Sequence, residues 1–122
     1  MSKTMEQIRD ILKKVEIDAP AVEGLALVSW EGLMISSALH SNVDESLVAA
    51  MASTLQGLGE QAVVEFQRGK MEAVFVRGKE GYILIGGVGK TGVLMVLARP
   101  DAKLGVLIYA LQKASKQLLK LL

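Results

Sequence analysis

The sequence predicts an α+β domain with the element order α-β-β-α-β-β-β-α and a five-stranded antiparallel sheet. Three segments carry apolar residues at the spacing of an amphipathic helix, and five short apolar runs are rich in the β-branched residues of strands. Turns that contain glycine separate neighbouring runs, and strands joined by such short turns pair antiparallel. The 122 residues are enough for one hydrophobic core. We therefore expect residues 1–122 to form a single domain.

The first half of the chain is predicted to contain a short helix, a hairpin and a long helix. Apolar positions at helical spacing predict the short helix, and Pro20 ends it. Two strand-like runs flank Glu31-Gly32, where glycine accepts the positive φ of a tight turn. Asp44 is then placed to cap the long helix. The predicted ranges are residues 4–15 for the short helix, 24–30 and 33–37 for the strands, and up to about residue 66 for the long helix.

The long helix has two faces that differ in side-chain size. At a step of about 100° per residue, its larger apolar side chains form one broad stripe that we expect to cover the sheet. On the other side, small residues recur every fourth position, and such a row allows another backbone to approach closely. A second interpretation is that Ala and Ser simply suit an exposed helix, and the pattern favours neither. The stripe contains Leu47, Met51, Leu55, Leu58, Ala62 and Phe66, widened by Val48, Ala52 and Val63, and the row contains Ala49, Ser53 and Gly57 with Val64 nearby.

The second half is predicted to form three strands and a final helix. Glycine turns separate the three strand-like runs, which implies a meander. Asp101 follows the last strand and is placed to cap the final helix. The apolar tail over residues 118–122 is expected to pack on the domain or on a partner. The predicted strands cover residues 70–77, 82–86 and 93–98, and the apolar face of the helix comprises Leu104, Leu107, Ile108, Leu111, Ala114 and Leu118.

The stretch GGVGKTG, residues 86–92, looks like a phosphate-binding loop but lacks two of its requirements. In a Walker A loop the first glycine stands five positions before the glycine that precedes the lysine. Counting back from Gly89, this chain has Leu84 at that position. The loop must also open a helix towards the phosphate, whereas a branched, apolar run follows Thr91. A glycine-rich turn between two strands is a hairpin. We therefore predict no nucleotide site and no cofactor for this chain.

Composition excludes several further classes of function. The 14 basic and 13 acidic residues give a net charge of +1 without blocks of either sign, and aromatic residues are only 4%, so nucleic-acid binding is not expected. No apolar run reaches the ~20 residues of a membrane span, and the first residues lack a signal-peptide pattern, so we expect a cytoplasmic protein. With no cysteine, His40 as the single histidine and scattered carboxylates, we predict no metal site, no catalytic residues and no enzyme.

Apolar content points instead to an interaction partner. Hydrophobic residues make up 51% of the chain, and the mean hydropathy of +0.37 is high for a chain of this size. Such a surplus indicates that apolar surface is buried against another molecule.

Several stretches resemble the Roadblock/dynein light chain family, in its MglB-like bacterial and archaeal branch. They are VEGLALVSWEGLMISS at 22–37, VDESLVAAMASTLQGLGEQAV at 43–63, VRGKEGYILIG at 76–86 and VLARPDAKLG at 96–105, and the resemblance covers nearly the whole chain. It implies a profilin- or longin-like fold. It also implies a homodimer, or a heterodimer with a paralogue, in which the long helices lie side by side and the third strands pair. On that basis the candidate interface residues are Ala49, Ser53, Gly57, Glu60, Val64, Met71, Ala73 and Phe75.

The resemblance further implies a role in protein interactions. Members of the family bind Ras-like small GTPases or act as scaffolds. The first hypothesis is therefore a dimeric module that binds a Ras-like GTPase and shifts its switch loops. The alternative is a scaffold or adaptor that holds a peptide without regard to nucleotide state. A third hypothesis, a sensor of a small ligand, has no pocket signature in the sequence.

Overall fold

The computed structural model describes residues 2–40 and 42–122, and in them three helices and five strands follow the predicted order. The sheet is antiparallel throughout, with the strand order β2-β1-β5-β4-β3, so that β2 and β3 form its edges. The elements are α1 (Lys3–Asp18), β1 (Val22–Ser29), β2 (Met34–Ala38), α2 (Glu45–Glu65), β3 (Val74–Gly78), β4 (Gly81–Val88), β5 (Gly92–Ala98) and α3 (Leu104–Leu119). The predicted α+β fold class is confirmed.

The sheet separates two apolar clusters, with α1 and α3 on one face and α2 on the other. Successive side chains of a strand point to opposite faces, so Leu25 and Leu27 of β1 contact the α1 and α3 side while Ala26 and Val28 contact α2. Both sets are fully buried. The central strands therefore read as unbroken apolar runs, and the domain has three layers.

The orientation of α2 differs from the prediction. The side that packs on the sheet is lined by Ala49, Ala52 and Gln56, and these residues are buried. The large side chains of Leu47, Met51, Leu58 and Phe66 are exposed instead. Small side chains let the helix axis approach the sheet closely, and the sheet-facing side combines Ala49 of the small row with Val48, Ala52 and Leu55 of the stripe. The prediction that the stripe covers the sheet was therefore wrong for Leu47, Met51, Leu58 and Phe66.

The third strand is shorter than the predicted range of residues 70–77. It begins at Val74, and the preceding segment turns towards α2. Met71 is buried there, and its side chain lies beside Gly59. A Cβ atom at Gly59 would come within 2.6 Å of Val74 Cγ2. The absence of a side chain at Gly59 therefore lets Met71 and Val74 pack closely on α2. Packing of Met71 on α2 thus draws the segment out of the sheet.

The helix caps confirm one prediction and correct another. Asp44 caps α2, because its Oδ1 accepts hydrogen bonds from the backbone N–H groups of Ser46 at 3.0 Å and Leu47 at 3.2 Å. Asp101 does not cap α3, whose N-cap residue is Lys103 without a side-chain hydrogen bond. Asp101 accepts instead from Arg99, with 3.0 Å between Nε and Oδ1. Asp101 lies two residues before the N-cap position, and its carboxylate binds the guanidinium of Arg99 instead of the first N–H groups of α3.

The Arg99–Asp101 pair predicts a pH dependence. The hydrogen bond from Arg99 lowers the pKa of Asp101 below its ordinary 3.8. Because the folded pKa is the lower one, any stabilisation from the pair is present above the ordinary value and is lost as the pH falls through the folded pKa. We expect Arg99→Met to raise the pKa of Asp101 towards 3.8 in an NMR titration of the carboxyl group.

The matched control for this titration is Lys14→Met. It removes the ion pair that Lys14 forms with Asp18 at 3.7 Å, and it should leave the pKa of Asp101 unchanged. An Asp101 pKa that is the same with and without Arg99 would contradict the assigned pair. The effect on the free energy of unfolding should be small, because solvent screens exposed ion pairs.

Candidate interaction surface

The outer side of α2 presents an apolar surface, which we call the outer face and define by Leu47, Met51 and Leu58. These side chains lie within about 40° of one another around the helix axis, at ~100° per residue. Their exposed fractions are 59%, 47% and 60%. Val64 and Phe66 are also exposed at the end of the helix, where Val64 lies ~100° around the axis from Leu47. Contiguous apolar surface of this kind marks interaction sites.

The second feature of this side of the molecule is the free edge of the sheet. β3 pairs only with β4 among the described strands, so its other edge lacks a strand partner. Val76 is exposed and lies on the α2 side of the sheet, as Val74 does, while Phe75 is exposed on the opposite side. An unpaired edge with exposed apolar side chains is a template for pairing with another chain.

The eight interface candidates from the sequence fall into different environments. Ala49 and Met71 are buried within the chain itself. The prediction that these two residues lie at an interface was therefore wrong. Ser53 is half-buried beside Gly32, where an added Cβ would come within 3.0 Å of its Oγ. Ala73 is half-buried against the cluster that α1 and α3 cover. Glu60 is half-buried and accepts a hydrogen bond from Gln56, and the three exposed candidates are Gly57, Val64 and Phe75.

Sequence reasoning therefore found part of this surface and missed the outer face. Leu47, Met51 and Leu58 were assigned to the core because large apolar residues usually occupy it. The available signal was the difference in size between the two sides of α2. A row of small residues suits close packing against any surface, including the chain's own sheet.

The GGVGKTG stretch forms the predicted hairpin. β4 ends at Val88, β5 begins at Gly92, and these two residues pair. A Cβ atom at Gly87 would approach Gln56 Nε2 to 3.1 Å, and one at Gly89, where φ is +60°, would come within 2.6 Å of Leu119 Cδ1. Close packing against α2 and α3, together with the turn geometry, accounts for these glycines.

Neither a metal site nor a membrane span emerges from the described part of the chain. No group of three or more His, Cys, Asp and Glu side chains is arranged there to hold a metal ion. Among the same residues, no helix combines the length and the apolarity that a bilayer crossing requires.

Three of the four arginines are engaged within the chain. Arg99 binds Asp101 and also donates from Nη1 to the carbonyl oxygen of Pro20 at 3.1 Å. Arg77 lies over the ring of Tyr82, 5.6 Å from its centroid. Arg68 follows α2 and donates from Nε to the carbonyl oxygen of Phe66 at 2.8 Å. These contacts fold the three side chains back onto the domain.

Comparison with known proteins relates the chain to one domain family. The profile of the Roadblock/LC7 domain matches residues 10–98. The uncharacterized protein MJ1340 of Methanocaldococcus jannaschii is 32% identical over 97 residues, which make up 80% of this chain and 84% of that protein. A Roadblock/LC7 domain from Streptomyces avermitilis is 26% identical and superimposes with a TM-score of 0.82 over 88% of this chain and 91% of that domain.

Two further solved structures share the fold. MglB of Myxococcus xanthus is 23% identical and has a TM-score of 0.87, over 98% of this chain and 90% of that one. LokiProfilin1 is 21% identical and has a TM-score of 0.63 over the full length of both chains. At these identities the likeness shows the fold alone, and that fold is profilin-like.

Proposed function

Since its sequence matches over residues 10–98, this chain belongs to the Roadblock/LC7 domain family, and we propose that it is a dimeric interaction module that binds a Ras-like small GTPase. The observation that carries the proposal is the outer face of α2 beside the free edge of β3. A partner must cover both an apolar stripe and a row of backbone groups. A second copy of the chain offers the same two features in complementary form.

The proposed homodimer places the two α2 helices against each other. A two-fold interface uses the same patch on both subunits, so Leu47, Met51 and Leu58 would each be buried twice. Fully burying a leucine or methionine side chain contributes about 1.5–3 kcal/mol. The half of each side chain that is now exposed would therefore add several kcal/mol over the six side chains, part of which offsets the cost of association.

The free edges of β3 would extend the contact. Pairing two copies of β3 across the two-fold axis would satisfy the backbone groups of both edges and join the two sheets. Phe75 and Val76 would be covered on opposite sides of the joined sheet. A paralogue with the same exposed features could replace one copy and give a heterodimer.

The GTPase partner comes from the family resemblance to MglB-like members. A dimer of this kind would act on the nucleotide cycle by binding one conformation of the partner's switch loops better than the other. An arginine supplied to the GTPase site is disfavoured, because no arginine lies on α2 and Arg77 and Arg99 are engaged elsewhere. We therefore propose that the module repositions catalytic groups of the GTPase itself.

The alternative is a scaffold that binds its partner in either nucleotide state. The two functions differ in one measurable property, the dependence of partner binding on nucleotide. A scaffold makes equal contacts with both states and so cannot shift the equilibrium between them. Such a scaffold could still use the same dimer.

Affinity capture from the native cell extract tests the choice. The immobilised protein is incubated in parallel with GDP and with a non-hydrolysable GTP analogue, and bound proteins are identified by mass spectrometry. We expect a small GTPase that is enriched at least about tenfold with the analogue, which corresponds to ~1.4 kcal/mol of differential affinity. Equal capture in both arms would favour the scaffold, and the absence of any GTPase would contradict the proposed partner.

A further inference from the structure

The segment over residues 70–73, which we call the β3 extension, has the sequence of a strand but is not one in the structure. Its four residues, KMEA, alternate between charged and apolar side chains, which is the period of a half-buried strand. β3 nevertheless begins at Val74, which pairs with Ile85 of β4. Among the described strands, none pairs with residues 86–88 of β4 on this side. A continuation of β3 would therefore find an open place beside β4.

Met71 lies on the opposite face of the sheet from the one that a continued strand would give it. Side chains of a strand alternate between the two faces, and Val74 contacts the cluster under α2 whereas Ala73 contacts the cluster under α1 and α3. A regular strand would place Met71 on the same face as Ala73. Its Cγ and Cε atoms lie instead 3.6 Å and 3.7 Å from the position of a Cβ atom at Gly59 of α2. The buried side chain of Met71 thus anchors the β3 extension to α2.

Open space flanks the β3 extension on both faces of the sheet. On the α3 side, Gly86 and Leu111 line a cavity of about 470 Å³. On the α2 side, Glu60 and Lys90 line a cleft of about 730 Å³. Residues 70–72 border both spaces, so this segment has room to change its path on either face.

The chain also has a hinge before the β3 extension. Gln67 has a φ of +53° and Gly69 a φ of +88°, both in the left-handed region. No atom lies within 4 Å of a Cβ atom at Gly69, so its surroundings do not fix this backbone. Hinges are a few residues at the ends of elements that absorb a change of backbone angles. Residues 67–69 are placed to do this where the chain leaves α2.

Met71 explains why a single chain keeps the anchored form. The pairing of Val74 with Ile85, continued backwards, would set Met71 opposite Val88 and turn its side chain towards the cavity on the α3 side. Leu111 offers an apolar contact there. The other α3 side chains of this cavity are polar, so Met71 is covered better on α2; they are Gln112, Ser115 and Lys116.

The charged residues of the β3 extension do not oppose the extended form. Lys70 and Glu72 would both point to the cleft on the α2 side, where Glu60 and Lys90 are the other charged residues. The cleft would then hold two charges of each sign. Lys70, Glu72 and Lys90 are exposed in the anchored form as well. The extended form thus exchanges one apolar contact of Met71 for backbone hydrogen bonds to β4.

We propose that the β3 extension releases Met71 from α2 and pairs with residues 86–88 of β4 when a second copy of the chain covers the edge of β3. A short edge strand resists pairing with other chains, and the anchored form keeps this edge at the five residues of β3. Two copies that meet along longer strands form more backbone hydrogen bonds, so the dimer favours the extended form. This inference rests on the proposed dimer and adds a conformational change to it.

NMR of the isotope-labelled full chain tests this change, with Leu58→Lys as the monomeric reference. We expect nuclear Overhauser contacts (NOEs) between the backbone protons of Met71 and Val88 in the dimer and none in Leu58→Lys. Hydrogen exchange of the Met71 amide should be at least about tenfold slower in the dimer. Arg77 and Tyr82 already pair in the ladder, so their cross-strand NOEs should be present in both samples.

A variant of the anchor tests the extension without a partner. Met71→Thr removes the apolar contact with α2 and supplies a β-branched residue, which suits a strand. In the Leu58→Lys background it should produce backbone NOEs between residue 71 and Val88 in the monomer. The matched control is Met71→Leu, which keeps an apolar side chain against Gly59 and should leave the monomer in the anchored form.

Light scattering on the same samples separates this inference from the proposed dimer. A monomeric original chain would contradict the dimer and the effect of a second copy, whereas Met71→Thr would still decide whether the extended form exists. NOEs to Val88 that are absent from both the dimer and Met71→Thr would overturn the extension. Equal NOEs in the dimer and in Leu58→Lys would overturn the role of the second copy.

Discussion

A lysine in place of Leu58 is expected to convert the proposed dimer into a monomer. Leu58 is 60% exposed at the centre of the outer face of α2. In a two-fold dimer the change occurs twice, so it removes the burial of the exposed 60% of two leucines, about 2–4 kcal/mol in total. It also places two positive charges near each other in an apolar contact. The dissociation constant of the dimer should therefore rise at least about a hundredfold.

Light scattering during size-exclusion chromatography measures this change directly. The original chain should elute with the mass of two chains at micromolar concentration, and Leu58→Lys with the mass of one. Ile17→Lys is the matched control, because Ile17 is an apolar residue of α1 that is 76% exposed on the other side of the sheet. A dimer that survives Leu58→Lys, or one that Ile17→Lys dissociates equally, would show that the outer face is not the interface.

Gly81→Ala is expected to destabilise the fold by about 2–4 kcal/mol. A Cβ atom at position 81 would lie 2.4 Å from the carbonyl oxygen of Ala98, a backbone atom of the neighbouring strand β5. The φ angle of Gly81 is +156°, which side chains rarely adopt. Overpacking and backbone strain each cost about 1–3 kcal/mol. The carbonyl oxygen of Ala98 belongs to the backbone, so it cannot rotate away from the new methyl group as a side chain could. Relief requires β4 and β5 to move apart at a central strand pair.

The control for Gly81→Ala lies in the same hairpin. Gly78 pairs with Gly81 across the turn, and the nearest atom to an added Cβ there is the carbonyl oxygen of Gly81 at an ordinary 3.7 Å. Gly78→Ala should therefore change the free energy of unfolding by less than about 1 kcal/mol. Urea denaturation of both variants measures the difference. Equal stabilities of the two variants would contradict the close approach of β4 to β5 at this position.

The hairpins were predictable because their signals are local. Glu31-Gly32 between two apolar runs indicated the first turn, and Gly32 has a φ of +96° in the structure. Leu84 and the apolar run after Thr91 distinguished the glycine-rich turn after β4 from a phosphate-binding loop. Asp44 was identifiable as a cap because a capping side chain acts on backbone groups only two or three residues away.

The interaction surface was only partly predictable. The sequence divided α2 into a large and a small apolar side, but the side that enters the core takes Ala49 from one and Ala52 and Leu55 from the other. Ala49 and Ala52 fit the narrow gap above Ala26 and Val28 of β1, where leucines would overpack. The start of β3 was misjudged for a related reason, since Met71 is drawn to Gly59 of a helix that precedes it in the chain.

The sequence by itself determined the elements, their order and the turns, and its resemblances identified the family. These properties follow from residues within a few positions of one another, where periodicity and turn chemistry act. Tertiary structure alone decided which face of α2 is exposed, where β3 begins and that Gln56 lies buried opposite Gly87. Each of these depends on the space between elements that are distant in the chain, and side-chain pattern does not specify the width of that space.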